Sequence, residues 1–520
     1  MTAMTVRVDV GPLSFGDVVA VAREGAAVEL TPDSLAAIDQ AREVVDDLAA
    51  APDPAYGIST GFGALATRHI PAQMREQLQR SLVRSHAAGS GPEVEREVVR
   101  ALMLLRLSTL ATGHTGIRRE TAELMAALLS AGITPVVREY GSLGCSGDLA
   151  PLSHCALALM GEGEVRDADG TLMPAGAALA TAGLAPVELK AKEGLALING
   201  TDGMLGQLVL AITDLRMLLR TADIAAAMSV EAQMGTDRVF APELQALRPQ
   251  VGQALSAANL TAVLKGSGLM ASHREDKLHR VQDAYSLRCS PQVHGAARDT
   301  VEHAAVVAGR ELASAVDNPV VVGDEVRSNG NFHGAPVAYV LDFLAIVAAD
   351  AASISERRTD RFLDKARNHD LPPFLADDPG VDSGHMIAQY TQAAIVSEMK
   401  RLAVPASVDS IPSSAMQEDH VSMGWNAARK LRRSVDGLSR VVAIEVLTAA
   451  RALDLRVSTG STRGVSPAAG TGAVVDLLRS SGVQGPGPDR YLSPEIEACV
   501  SLVQSGAVLA AVEEKIGELQ

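Results

Sequence analysis

A mainly α-helical fold built on a bundle of long helices is predicted by three observations. Between Pro336 and Pro372 the chain runs 35 residues without Gly or Pro, room for ~52 Å of helix at ~1.5 Å per residue. Asp382–Ala403 and Trp425–Leu455 are similar runs, interrupted only by Gly384 and by Gly437. Aromatic residues make up 3% of the chain, with Trp425 the sole tryptophan, whereas an all-β sandwich or propeller of this size would draw on more aromatic and β-branched residues. The long runs carry Ala, Val, Leu and Ile nearly all round, so other helices must cover them, and an oligomer built through the bundle would do so.

The remaining elements follow in chain order. Residues 4–11 alternate and then turn at Gly11-Pro12, the pattern of a short strand. Thr31-Pro32 supplies an N-cap and first helical residue for a helix running towards Leu48. Helical patterns follow at Pro71–Ala88, Glu93–Ala111 and Arg118–Ala131, each bounded by Gly or Pro. Residues 163–190 break the pattern with Gly, Asp and Pro and read as a small hairpin or loop excursion. A Gly/Ser/Thr-rich stretch, Ser458–Gly472, precedes a final helical region, and there is no internal repeat.

The chain has 520 residues, 47% hydrophobic and 21% charged, a globular balance that excludes intrinsic disorder. Lys plus Arg total 46 against 62 Asp plus Glu, a formal charge of −16, so phosphate backbones and acidic lipid are poor partners. The four cysteines, Cys145, Cys155, Cys289 and Cys499, form no CxxC pair, which argues against structural zinc and a disulfide framework. The first residues are interrupted by acids and read as no signal peptide. The least charged stretch, Gly170–Glu188, contains Pro174, Pro186 and glycines and is a poor membrane span. A cytoplasmic protein without membrane contact is the expectation.

Common catalytic motifs fail. There is no HExxH, no P-loop and no strand–GxGxxG–helix, and no His/Cys/carboxylate cluster has metal-ligand spacing. Gly144-Cys-Ser-Gly-Asp148 lacks the final glycine of a nucleophile elbow. Read plainly, Gly141–His154 is a glycine-rich loop leading into a helix with Pro151 in its first turn. A second reading is chemical. An unhindered glycine nitrogen can attack the carbonyl carbon two residues earlier if the loop bends tightly enough. Loss of one water from that adduct and another from the intervening serine leaves a five-membered ring with an exocyclic methylene, an electrophile made from backbone. Cys145, Ser146 and Gly147 meet the requirement, and the cysteine side chain stays outside the ring.

These residues resemble the aromatic amino acid ammonia-lyase family, whose cofactor is this ring, 4-methylidene-imidazol-5-one. The family's usual Ala-Ser-Gly has Cys145 in place of alanine here, followed by Asp148-Leu-Ala-Pro-Leu. Tyr56–Gly63, Lys192–Thr201, Gln282–Arg288 and Asn331–Gly334 match further motifs in the family's order, so the resemblance spans Tyr56 to Glu418. Ser59, Ala284 and Asn329 depart from the commonest residues of their motifs. The resemblance implies an L-aspartase/fumarase-like long-helix bundle with a smaller N-terminal domain. The electrophile loop would lie in residues 1–195, and the bundle and C-terminal helices in 196–520. A homotetramer with active sites shared between subunits is also implied, with no external cofactor or metal. The Gly-Ser-Ser-x-Met-Pro loop of the fumarase and aspartase enzymes themselves is absent.

Within the family, Ser85-His86-Ala87 and Gln417–Gly424 most resemble the histidine-deaminating members, which implies L-histidine as substrate and trans-urocanate and ammonia as products. Phenylalanine-selective relatives carry an amide where Glu418 stands. A tyrosine ammonia-lyase, an aminomutase on the same ring, and a helical scaffold without chemistry are the alternatives. On a helix, Gln282, Tyr285 and Arg288 at i, i+3 and i+6 share one ~120° arc, placing a guanidinium near the phenol and a fork for a carboxylate. Taken alone this would be an ordinary surface helix. The resemblance makes Tyr285 the base and Arg288 the carboxylate anchor, and a phenol titrating near ~10 in water needs such cationic help. It also assigns His86 and Glu418 to the imidazole, sets Tyr56 and Phe332 beside the ring, and gives Asn199 the ring's carbonyl oxygen. Asp148, otherwise an N-cap before a helix, would assist cyclisation.

Overall fold

The computed structural model describes residues 4–51, 55, 57–61, 63, 68–274 and 282–520. It is mainly helical and resolves into two compact units, each assembled from segments far apart in sequence. The first comprises Met1–Ala211, Ala305–Asp342 and Pro405–Arg429, the second Ile212–Ala304, Phe343–Val404 and Lys430–Gln520.

In the first unit Thr5–Val8 pairs in parallel with Ala27–Leu30. The Pro32–Ala50 helix starts as its sequence demands: Thr31 Oγ1 accepts from the Ser34 amide, and Pro32 occupies the first turn. At the centre lies the Arg96–Ala111 helix, buried without a break from Val98 to Ala111, which accounts for its lack of a polar face. Its two buried arginines are tied to main chain. Arg100 donates to the carbonyls of Val21 and Leu129, and Arg106 to that of Val316. The interruption at 163–190 is a hairpin, Glu164–Arg166 with Leu172–Pro174, followed by the short Ala175–Thr181 helix. The expected Pro71–Ala88 helix is a 3-10 turn, Ala72–Met74, leading into Arg75–His86.

Buried charge organises the second unit. Arg358 and Glu445, both fully buried, pair directly, and Ser229 and Ser355 donate to the same carboxylate. Asp223 accepts from Ser256, Asn259, His294 and Arg298. Carboxylates this deep are tolerated only when every oxygen is satisfied.

Long helices run where Gly and Pro are scarce: Asp202–Ala232, Ala335–Leu363, Met386–Leu402 and Gly424–Ser458. The helix over the run between Pro336 and Pro372 is Ala335–Leu363, 29 residues, about 43 Å, and it ends before the run does. The helix stops at Leu363, and the chain then turns through His369 and Asp370, both at positive φ. Two apolar helical stretches, Glu193–Ala232 and Ala335–Leu363, have the length and hydropathy of a bilayer span, but their most apolar windows are 100% and 61% buried within the protein. Packing against protein explains their composition.

Candidate active site

The Gly141–Asp148 loop joins the Arg138–Tyr140 strand to the Leu149–Leu159 helix, and it is anchored at both ends. At one end the Leu143 carbonyl accepts from the Met423 amide at 2.8 Å, and the Gly144 carbonyl from Ser422 Oγ at 2.8 Å and the Gly334 amide at 3.2 Å. At the other, the Asp148 amide donates to the Gly200 carbonyl at 2.7 Å. Between these anchors Gly147 has φ +73°, and a Cβ there would lie 2.0 Å from the Gly200 oxygen. Only glycine fits. A serine followed by a glycine thus sits in a clamped bend with no space for a side chain on the glycine.

Asp148 does not cap the helix it precedes, since that N-cap position has no side-chain hydrogen bond. Its carboxyl instead accepts from Ser142 Oγ and from the Met204 amide, both at 2.8 Å, the latter in the first turn of the Asp202–Ala232 helix. Full burial pushes it up to about 7, against the lowering effect of these donors. A buried carboxyl that titrates near neutrality can take and return a proton.

Asn199 ends the short Glu193–Ile198 helix and is buried. Its Nδ2 donates to the Asn318 carbonyl at 2.9 Å and makes a longer contact, 3.5 Å, with Asp317. Its Oδ1 is buried and unmatched by any donor among the described residues. The amide therefore keeps hydrogen-bonding capacity for a further group. Asp317 is fixed by the fully buried Lys192 ammonium at 2.6 Å, which also donates to the Thr115 carbonyl. Asn329 closes this support by donating to the Asp317 carbonyl.

Glu418 lies on a tight turn. Ser413 and Glu418 exchange backbone hydrogen bonds, and Ser414, Ala415 and Met416 between them all have positive φ. Three consecutive non-glycine residues in the left-handed region store strain that the surrounding structure must hold. The Glu418 carboxylate accepts from Cys145 Sγ and from Ser413 Oγ, each at 3.1 Å. This joins the triad expected to form the ring to the carboxylate expected at the imidazole. His86 ends the Arg75–His86 helix with Nδ1 on the Leu82 carbonyl at 2.9 Å. Burial holds it below the usual histidine range, outweighing the Leu82 carbonyl and the Glu418 charge. Because Leu82 O only accepts, Nδ1 carries the hydrogen and Nε2 is the acceptor of a neutral ring. Phe332 is half-buried, two residues before the Gly334 amide that holds Gly144. Next to it, the His333 ring stacks on His420 at 5.7 Å.

Tyr285, Gln282 and Arg288 belong to the second unit. The helix there is only Tyr285–Arg288. Gln282 precedes it outside the helix and is exposed, so the expected three-residue arc is reduced to two because the helix is too short to reach it. Arg288 lies 4.8 Å over the Tyr285 ring, which does bring a guanidinium to the phenol. Tyr56 lies outside the described residues. Of the unusual positions, Ser59 Oγ accepts from the Ala55 amide, and Ala284 is the N-cap of the Tyr285–Arg288 helix. Ser142, Asp317, Ser413 and Ser422 support the site without having been singled out from the sequence. Asp317 and Ser422 meet partners distant in the chain, and although Ser142 and Ser413 bind Asp148 and Glu418 only a few residues away, serine at those offsets has no distinctive pattern.

Comparison with known proteins follows this geometry. A family model described as aromatic amino acid lyase matches residues 13–480. The chain is 67% identical over 516 residues to a histidine ammonia-lyase of Streptomyces griseus, covering 99% of both chains. Among solved structures it is similar to the histidine ammonia-lyase of Trypanosoma cruzi, with TM-score 0.89, 39% identity, and 99% and 96% of the two chains covered. It is also similar to a tyrosine aminomutase of Streptomyces globisporus, with TM-score 0.92, 37% identity, and 99% and 100% covered.

Proposed function

The chain belongs to the aromatic amino acid lyase family, and from that premise we propose that it deaminates L-histidine without oxidation, giving trans-urocanate and ammonia, the first step of histidine degradation. The observation that carries the substrate choice is the Glu418 carboxylate held against the triad by Cys145 at 3.1 Å. An imidazole offers N–H donors that a carboxylate accepts strongly, whereas an unsubstituted phenyl ring offers none.

The family uses a self-made 4-methylidene-imidazol-5-one. Here Cys145, Ser146 and Gly147 would form it, and once formed it supplies an electrophile that covalently activates the substrate's departure of ammonia. The residues fit: the clamped bend at Gly147 and the absence of room for a Cβ there favour a ring at this place. Asn199 would hold its carbonyl oxygen through the Nδ2 hydrogen that makes only the longer, 3.5 Å contact with Asp317, Asp148 would relay protons during its closure, and Phe332 and Tyr56 would flank it.

The substrate's imidazole N–H donates to Glu418, and the neutral His86 is a further polar partner nearby. Arg288 binds the carboxylate, with Gln282 beside it. Tyr285 removes the β-proton, and the guanidinium over its ring stabilises negative charge as it develops on the phenol. The Tyr285 side chain is 71% exposed, which suits a base that completes the site of another copy in a homotetramer. The assembly is cytoplasmic on this reading.

The test is a urocanate absorbance assay on purified protein, run in parallel with L-tyrosine. Urocanate from histidine, together with an intact mass two waters below that encoded, supports the proposal. Turnover of tyrosine alone selects the tyrosine-directed reading that likeness to an aminomutase favours, and an unmodified, inactive chain selects a scaffold.

A further inference from the structure

We propose that Cys145 is a positioning residue for substrate recognition: its thiol, with the Ser413 hydroxyl, holds one oxygen of Glu418 so that the other is presented to the substrate's imidazole N–H. The inference rests on the histidine reading above and deepens it.

Both donors converge on Oε2 of Glu418, Cys145 Sγ at 3.1 Å and Ser413 Oγ at 3.1 Å, while Oε1 takes no hydrogen bond from any described residue. A carboxylate has two oxygens and about four acceptor directions, so loading one oxygen with two donors fixes the plane of the group and leaves the other oxygen for a ligand. Neither donor is loosely held. Ser413 is bound to Glu418 through both backbone hydrogen bonds of the turn. The cysteine is buried among Val421, Met423, Leu143 and Ala406, and Glu418 is its side-chain hydrogen-bond partner among the described residues. Burial and the adjacent carboxylate push the thiol up to about 12, so at neutral pH it carries the hydrogen that the contact requires. Its side chain is not consumed by condensation of the triad, so the same thiol serves before and after ring closure. Alanine at this position would leave Glu418 one donor short and free to rotate.

Binding in a background that cannot form the ring gives a readout independent of turnover. In Ser146→Ala protein, the affinity for urocanate is measured by calorimetry with and without Cys145→Ala, Cys145→Ser or Glu418→Gln. Loss of one neutral donor is expected to weaken urocanate roughly three- to ten-fold. Cys145→Ser, which keeps a hydroxyl donor, should stay within about two-fold of the parent. In the active enzyme, Cys145→Ala should raise KM for histidine by a larger factor than it lowers kcat. Weakening by Glu418→Gln with no effect of Cys145→Ala would overturn the inference alone. Equal loss in the alanine and serine variants would also overturn it, leaving only packing. No effect of Glu418→Gln would remove the imidazole role of Glu418 and the inference with it. If Cys145→Ala is insoluble, Ser413→Ala removes the second donor from the same oxygen and reads the same quantity.

Discussion

Asp148 is held with its carboxyl near 7, whereas an unfolded chain titrates it near ~3.9. The native state therefore keeps this proton more tightly than the unfolded state. Its contribution to stability is complete below pH ~4 and is lost as pH climbs through 7, a swing of about 4 kcal/mol. Asp148→Asn removes the titration while keeping an acceptor for the Met204 amide. In the ring-less Ser146→Ala background it should raise the apparent melting temperature at pH 8, with a smaller gain at pH 5; the reverse order would contradict the buried-acid assignment. With Ser146 intact, the same substitution should slow or prevent the two-water mass loss. Gly147→Ala should prevent that loss outright, because its Cβ meets the Gly200 carbonyl at 2.0 Å and its φ is positive, and intact mass reads the outcome directly. At this scale the sequence was informative about which residues matter and silent about how they are held. Ser146, Gly147 and Glu418 stand in motifs. The hydrogen bond from Cys145 to Glu418 joins positions 273 apart, and Asp148 serves a helix that begins at Asp202 rather than its own.

Glycines in helices look like interruptions in a linear reading, and two of them show why that reading fails. Gly203 lies in the first turn of Asp202–Ala232, where a Cβ would stand 2.5 Å from the Trp425 ring and 2.8 Å from Leu102. The glycine-rich Asn199–Gly203 segment obscured the start of that helix, but its glycines are close approaches between packed elements. Gly437, in Gly424–Ser458, faces the flexible Met399 side chain at 2.9 Å. Alanine at 203 overpacks against a rigid, fully buried indole and should cost about 1–3 kcal/mol. Alanine at 437 gains roughly 1 kcal/mol of helix propensity that offsets moving a methionine, so it should fall within about 0.5 kcal/mol of the parent. Apparent urea midpoints of the two variants separate these cases, and equal midpoints would refute the distinction. Long helices were legible because freedom from Gly and Pro is a local property. Their ends were not, because Leu363 and His369 mark a turn set by tertiary surroundings rather than by Pro372.

A chain with a formal charge of −16 repels its own copies at long range, so association must come from apolar area. The second unit exposes such area in pairs at helical spacing: Phe343 and Ile346 on one helix, Ile387 and Tyr390 on another, the last two about 60% exposed. Apolar side chains grouped this way on a protein otherwise rich in buried aliphatics mark a protein-facing surface. The nearly all-round apolar character of the long helices already pointed to oligomer contacts, although which residues would stay uncovered within one chain depends on packing and is not written in periodicity. Light scattering should therefore find the purified protein as a tetramer. Phe343→Glu combined with Ile346→Glu should produce smaller species with most turnover lost, since the exposed Tyr285 would lack the neighbour whose site it completes. The mass deficit of two waters should persist in that variant. Every group that clamps the loop, from Leu143 and Gly144 to Gly200 and Met204, belongs to the same chain and the same unit, so ring closure needs no partner. A dissociated variant that keeps full turnover would show that one chain suffices for catalysis, and a dissociated variant without the mass deficit would show that the loop is bent by assembly rather than by its own anchors.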